Sequence, residues 1–164
     1  MKIVILTRNI KDYDLNKGVD VYGRSNISDA LSVKKVLAPF HEVKILFLDL
    51  NIYQQLQTEK PDLIFNLADD GFYNDPDLEP HIPALLDILQ IPYTGNNYFT
   101  LALCQNKARA KEIMSFYEIL TPPWQVFTSL NQKLNPKLHF PLIVKPIKND
   151  GSIGIKERSV VYDE

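Results

Sequence analysis

A lysine at the end of an apolar segment is the residue whose position most strongly suggests chemistry. Lys145 follows the apolar residues 140–144 and precedes a proline. A buried ammonium without an anionic partner is costly, so this lysine needs an anion or solvent. The small-residue loop 149–154 follows directly; its glycines allow backbone amides to approach a phosphate, and Ser152 adds a hydroxyl donor. The spacing fits the outline of a phosphate cradle, and it fits equally a plain hairpin that carries a solvated lysine, because such Gly-Ser hairpins are common.

In the first half of the chain, alternating strands and helices are predicted, and they would position any functional residues there. We predict strands over residues 3–6, 43–48 and 61–67, helices over 27–37, 52–56 and 82–89, and a short strand and turn over 90–95. The apolar residues of the first helix lie at helical spacing and should form its buried face: Ile27, Leu31, Val33 (or Lys34 at the next position), Val36 and Leu37. This alternation is typical of a parallel sheet covered on both faces. Ligands bind beyond the carboxyl ends of such strands, so the loops after Leu6 and Leu67 are candidate sites.

The pattern changes in the second half of the chain. A helix is predicted from about Lys107 to Tyr117, followed by strands over residues 124–127, 142–146 and 153–156. Successive strands joined by polar turns favour an antiparallel sheet. We therefore predict an α/β domain over residues 1–98 and the beginning of an α+β domain over residues 99–164.

Composition excludes several classes of function. The chain has 164 residues, 45% of them hydrophobic, and a net charge of -2 without a dense basic run, which argues against a nucleic-acid partner. No segment has the apolar length of a membrane span or a signal peptide. The single cysteine, Cys104, cannot form an internal disulfide and is expected to be a small buried apolar residue. We expect a cytoplasmic protein without a membrane partner.

Two sets of polar residues could suggest a metal site. His41, His81 and His139 are too far apart for the close, recurring spacing of zinc ligands. The acidic residues between 69 and 77 lack the ligand offsets of a calcium loop, so we expect a flexible loop there. Neither set predicts a metal site.

Three segments, in order, resemble the D-alanine–D-alanine ligase branch of the ATP-grasp ligases. The turn Ile-Pro-Tyr-Thr-Gly-Asn at 91–96 precedes Leu-Ala-Leu-Cys-Gln-Asn-Lys at 101–107. Ile-Leu-Thr-Pro-Pro-Trp at 119–124 then resembles the link into the central domain, and residues 140–154 resemble the lysine-bearing strand and glycine-rich loop. The likeness is specific over residues 61–159 and loose before them.

The resemblance implies a fold and a reaction. The fold would be a Rossmann-like parallel-sheet pre-ATP-grasp domain followed by an incomplete α+β ATP-grasp subdomain. Such ligases use ATP and Mg²⁺ to join a small carboxylate to an amine through an acyl phosphate. By position, Lys107 and Lys145 match the lysines that bind the ATP phosphates, and Gly151, Ser152 and Gly154 match the loop that closes over them. A homodimer is left open.

The substrate side departs from the family pattern. Asp69 lies where the family usually carries a histidine, and residues 22–28 lack the usual early glutamate. Arg24 and Asp69, and more weakly Arg8, are therefore candidates for contact with a substrate other than D-alanine. Solvated loop residues are the alternative.

The resemblance also implies that these residues are the N-terminal portion of a longer ligase. The adenine contacts and the Mg²⁺ carboxylates of the family lie downstream of the matched segments, so we expect the 164 residues alone to be inactive. A non-catalytic binding module derived from the same fold is the alternative function.

Overall fold

The computed structural model describes residues 1–8, 26–148, 152 and 154–163, with the side chains of Asn26 and Asn74 excepted. The described chain divides into two compact units, Met1–Ala102 and Leu103–Glu164. The fold class of a parallel α/β domain followed by an α+β piece is confirmed by the elements described below. The domain bounds 1–98 and 99–164 stay a prediction.

A parallel sheet of three strands forms the centre of the first unit. Its strands are β1 (Lys2–Thr7), β2 (Glu42–Phe47) and β3 (Leu63–Leu67), in the order β2-β1-β3. The apolar run predicts the central position of β1, because only a strand covered on both faces buries consecutive side chains. Residues 3–7 are indeed all buried. The register pairs Thr7 with both Phe47 and Leu67, so the three strands end at the same level.

Helices cover the sheet through apolar side chains at helical spacing. They are α1 (Asn26–Leu37), α2 (Ile52–Glu59) and α3 (His81–Leu89). Ile52 and Leu56 of α2 and Ile82 and Leu86 of α3 are at most 1% exposed and join one core cluster with strand residues such as Val4. Burial of each such side chain contributes about 1.5–3 kcal/mol. The predicted short strand near residue 93 is a single parallel bridge between Ile64 and Tyr93.

The buried face of α1 differs from the prediction. Ala30 is fully buried, whereas Leu31 is 54% and Val36 is 68% exposed. The inner stripe follows Ile27, Ala30 and the half-buried Val33, which lie three residues apart. The residue on the inner face is thus the small Ala30, and Leu31, the next position round the helix, is exposed.

The acidic segment after β3 is folded into turns. Two short 3-10 helices, Phe72–Asn74 and Pro76–Leu78, follow Gly71. The Asp75 carboxylate accepts a hydrogen bond from the backbone amide of Asp77 at 3.0 Å and so closes the second turn. A flexible loop was predicted here, and the segment instead forms two short helical turns, the second closed by the Asp75 carboxylate.

Two helices open the second half of the fold. Helix α4 (Tyr98–Gln105) was not predicted; the Asn97 side chain starts it by accepting a hydrogen bond from the Thr100 amide at 2.9 Å. The division between the two units falls within α4. Cys104 on this helix is exposed, so its predicted burial is wrong; no described residue of α4 is buried. Helix α5 (Lys107–Phe116) begins where the sequence predicted.

The second unit contains a shorter sheet than predicted. Strand β4 (Leu142–Ile143) pairs antiparallel with β5 (Val160–Val161). The antiparallel arrangement is confirmed, but the partner strand lies later than residues 153–156, because a 3-10 helix at Glu157–Ser159 intervenes. Ile153 lies outside the described residues. The predicted strand 142–146 ends early, since Pro146 has no amide hydrogen to continue a ladder.

Residues 124–127 do not form the predicted strand. Side-chain amides there form hydrogen bonds with backbone carbonyl and amide groups instead. Gln125 donates to the Lys133 carbonyl at 2.8 Å and accepts from the Asn135 amide at 2.7 Å. Gln132 donates to the Val126 carbonyl at 2.9 Å. These bonds take the place of a strand ladder.

None of the helices in the described part of the chain has the length and apolar character needed to cross a membrane.

Candidate functional site

Lys107 begins helix α5 and is held at both its backbone and its side chain. The Asn106 side chain caps the helix by accepting a hydrogen bond from the Arg109 amide at 3.2 Å. The Lys107 amide donates to the Ile147 carbonyl at 2.9 Å, and its ammonium lies 3.4 Å from the Lys148 carbonyl. These contacts fix the amino end of α5 against the segment that follows β4. The positive end of the helix dipole and one ammonium therefore lie together.

Lys145 lies two residues beyond β4 on the same segment. The Val144 amide donates to the Ser159 carbonyl at 2.7 Å, which continues the pairing one residue past the strand. Lys145 is exposed, and the ion pairs found among the described residues do not include it. The Lys145 ammonium is therefore open to solvent, whereas the backbone next to it is held by the hydrogen bond between Val144 and Ser159.

The two lysines line one cleft of about 1270 Å³ in the second unit. Among the described residues its charged lining is unbalanced, with one aspartate, Asp163, and five lysines: Lys107, Lys111, Lys133, Lys137 and Lys145. Lys111 donates to the Thr121 hydroxyl at 2.6 Å and to the Pro122 carbonyl at 3.0 Å. The chain as a whole carries a net charge of -2, so this cationic cleft is a local feature. Such a cleft attracts anions.

Two residues of the small-residue loop, Ser152 and Gly154, belong to the described part of the chain. Ser152 and Gly154 are exposed and have positive φ angles of 62° and 80°, and the Ile155 amide donates to the Ser152 carbonyl at 3.0 Å. A Cβ at Gly154 would lie 3.0 Å from Cγ of Pro146, the residue after Lys145. A glycine therefore suits this close approach. Gly151 lies outside the described residues, and so do residues 149, 150 and 153. The expectations for these four residues stay predictions.

The substrate-side candidates lie on the first unit. Arg24 lies outside the described residues. Asp69 is exposed in the turn after β3. Arg8, the weakest candidate, is buried and forms an ion pair with Asp70, which sequence reasoning did not single out. Its signal was a charged residue shortly after each of two parallel strands, directly after β1 for Arg8 and three residues after β3 for Asp70, a position where parallel sheets bind ligands.

No group of three or more histidine, cysteine, aspartate or glutamate side chains gathers in the described part of the chain. The residues present fit the phosphates of ATP, since lysines and a helix amino end face one cleft. The described residues offer no set of ligands for Mg²⁺.

Comparison with known proteins identifies relatives over most of the chain, although no family model matches it. The D-alanine–D-alanine ligase of Aquifex aeolicus (strain VF5) is 37% identical over 117 residues, which is 71% of this chain and 39% of that protein. The enzyme of Pelagibacter ubique (strain HTCC1062) is 30% identical over 128 residues, 74% of this chain and 41% of that protein. The chain thus spans about two fifths of the length of these curated relatives.

Solved structures agree with the fold. D-alanine–D-alanine ligase from Bacillus anthracis has a TM-score of 0.66 at 23% identity, covering 100% of this chain and 49% of that one. The same enzyme complexed with ATP has a TM-score of 0.63 at 21% identity, covering 100% of this chain and 51% of that one. The predicted fold class is therefore confirmed.

Proposed function

Because its sequence and fold make this chain a relative of the D-alanine–D-alanine ligases, we propose that it is the N-terminal part of an ATP-dependent carboxylate–amine ligase. The resemblance predicted from the sequence is thereby confirmed. The chain covers about two fifths of the length of its curated relatives. Its activity, substrates and partners are therefore proposed by analogy with the whole enzymes.

One observation carries the proposal: Lys107 and Lys145 line the same cleft, and five lysines and one aspartate are the lysine and acidic residues in that part of its lining which the structure describes. A triphosphate is the chemical group that such a cleft suits best. Lysine ammonium groups act as point charges for phosphate oxygens, and the amino end of α5 adds backbone amides of the same polarity. The ATP complex of a solved relative supports a nucleotide as the anion.

In the proposed reaction, this cleft binds the phosphates and lowers the barrier to phosphoryl transfer. A substrate carboxylate attacks the γ-phosphorus, ADP leaves, and an acyl phosphate forms. The amine of a second substrate then attacks the acyl carbon, and inorganic phosphate leaves as the amide bond forms. Lys107 and Lys145 stabilise the negative charge on the phosphoryl group during transfer. Ser152, with the backbone amides near Gly151 and Gly154, lies in the loop proposed to close over the phosphates.

The experiment titrates ATP into the isotope-labelled 164-residue chain and maps amide shifts by NMR. We expect weak, millimolar binding with the largest shifts at Lys107, Lys145 and Ser152. Replacing Lys145 by methionine should weaken binding at least about tenfold, since a hydrogen bond to a charged group contributes about 1.5–3 kcal/mol. The matched control is Lys35→Met, an exposed lysine on α1 of the first unit.

Two results would overturn the proposal. One is an unchanged affinity in Lys145→Met with a native amide spectrum. The other is ATP shifts confined to the first unit. Micromolar affinity for Mg-ATP in the 164 residues would contradict our further expectation that these residues alone bind nucleotide weakly and release no ADP. The use of Mg²⁺, the cytoplasmic location and a homodimer stay predictions.

A further inference from the structure

The two lysines proposed to bind phosphates lie on elements that meet at a backbone hydrogen bond. Lys107 is the first residue of α5, and its amide donates to the Ile147 carbonyl at 2.9 Å. Ile147 follows Lys145 by two residues on the segment after β4. The distance between the two ammonium groups therefore depends on where α5 begins and on the conformation of its first residue.

Asn106 determines where α5 begins. Its backbone is extended, with φ -97° and ψ 94°, and its side-chain oxygen accepts a hydrogen bond from the Arg109 amide at 3.2 Å. Its carbonyl accepts a bond of the helix itself, from the Ala110 amide at 2.9 Å. An asparagine with this geometry is an N-cap, because its side chain satisfies an amide that has no partner within the helix.

Loss of the cap would act first on Lys107. Without a side-chain acceptor the first turn of a helix frays, and the residue next to the cap is the first to leave the helical conformation. The Lys107 amide would then turn away from the Ile147 carbonyl, and its ammonium would lose its position beside the segment that carries Lys145. Asn106 is not among the described residues that line the cleft, so we expect its effect on a ligand to pass through Lys107.

We propose that Asn106 is a positioning residue of the phosphate cleft, because its cap on α5 holds Lys107 beside the segment that carries Lys145. The inference rests on the proposed function for the identity of the ligand. Its structural half is independent of that function, since the hydrogen bond between Lys107 and Ile147 can be followed in the chain alone. The cap of one helix thereby sets the spacing of two charges on different elements.

A second asparagine in the same chain provides a matched control. Asn97 caps α4 in the same way, by accepting a hydrogen bond from the Thr100 amide at 2.9 Å. No described residue of α4 lines the cleft. Asn97→Ala therefore removes an equivalent cap and leaves the two lysines in place, so it measures what the loss of a cap does by itself.

The test measures the binding of tripolyphosphate to the isotope-labelled 164-residue chain by amide NMR, together with hydrogen exchange of the Lys107 amide without ligand. In Asn106→Ala, we expect faster exchange of this amide and about two- to fivefold weaker binding, since only molecules with a formed first turn bind at full strength. Asn106→Ser should restore most of both values, because serine caps a helix about as well as asparagine. Asn97→Ala should leave both unchanged.

A double-variant cycle separates positioning from general stability. Asn106→Ala is combined with Lys107→Met, and the effect of removing the cap is compared in both backgrounds. Because Asn106 acts through the Lys107 ammonium, its removal should weaken binding in the original chain and have no further effect in Lys107→Met. A merely structural cap would weaken binding by the same factor in both backgrounds.

Three results would overturn the proposal: unchanged tripolyphosphate binding in Asn106→Ala, an equal loss in Asn97→Ala, or the same loss from Asn106→Ala in both backgrounds. Unchanged exchange of the Lys107 amide in Asn106→Ala would overturn it as well. Failure of the proposed function is recognised separately, because Lys107→Met and Lys145→Met would then leave tripolyphosphate binding unchanged. That result would overturn both proposals, whereas those above leave the role of the lysines intact.

Discussion

Replacing Gly71 by alanine tests whether the turn after β3 is built as the structure shows. Gly71 is buried and has φ 70° and ψ -176°, a region that is open to glycine and closed to other residues. A Cβ there would lie 2.4 Å from the Asp75 carbonyl oxygen and 2.5 Å from the Glu79 nitrogen. Both are backbone atoms, so the whole turn would have to shift.

Two costs add in Gly71→Ala. The unfavourable backbone conformation costs about 1–3 kcal/mol. Forcing a methyl group against packed backbone costs about 1–3 kcal/mol more. We expect a loss of roughly 2–6 kcal/mol in the free energy of unfolding of the first unit, which is a large part of the 5–15 kcal/mol typical of a domain.

Gly95 offers a matched control, because it has φ 101° but no atom within 4 Å of the position that a Cβ would take. Gly95→Ala should therefore suffer only the backbone penalty, about 1–2 kcal/mol. Amide hydrogen exchange of β1 and β3, with urea unfolding followed by far-UV circular dichroism, measures both variants. Equal destabilisation by the two substitutions, or a Gly71→Ala variant as stable as the unmodified chain, would refute the reasoning.

Two further predictions concern pH. Hydrogen bonds from Lys44 and, to a smaller extent, from Lys2 hold the pKa of Glu59 below its ordinary value of 4.5. The stability that these bonds contribute is therefore present above pH 4.5 and is lost as the pH falls through the lowered pKa. In Glu59→Gln, the free energy of unfolding measured with urea should fall less steeply as the pH is lowered into the acid range. Burial and then the bond to Asp87 raise the pKa of Tyr93 above its ordinary 10.0, so stability is full below that pH and is lost as the pH rises through the raised value. Tyr93→Phe should retain its melting temperature in alkaline buffer where the unmodified chain loses stability, and an identical alkaline loss in both would contradict this.

The first unit was largely predictable because its strands are apolar runs bounded by turns. A continuous run such as residues 3–6 has one stable place, the middle of a parallel sheet, and the alternation with helices then defines the order of elements. The face of α1 was not predictable in the same way. The buried position is the small Ala30 rather than Leu31, and which side of a helix faces the sheet is a property of the packed structure.

The second unit was harder to predict, because side chains form hydrogen bonds with backbone groups where strands were expected. The amides of Gln125 and Gln132 bond carbonyls and amides six to ten residues away, and no periodic pattern records this. The two lysines that share a cleft were found through motif resemblance rather than periodicity. The Arg8–Asp70 pair joins residues 62 positions apart, and only the register of β1 and β3 brings them together.

The central claim is that the cleft of the second unit binds phosphates through Lys107 and Lys145. The most direct measurement compares tripolyphosphate, ATP and adenosine as probes of the labelled 164-residue chain, with the double variant Lys107→Met/Lys145→Met alongside. We expect that tripolyphosphate and ATP shift the same amides, that both effects weaken as salt concentration rises, and that the double variant loses them. Adenosine shifting those amides as strongly as ATP, or phosphate binding unchanged in a folded double variant, would contradict it.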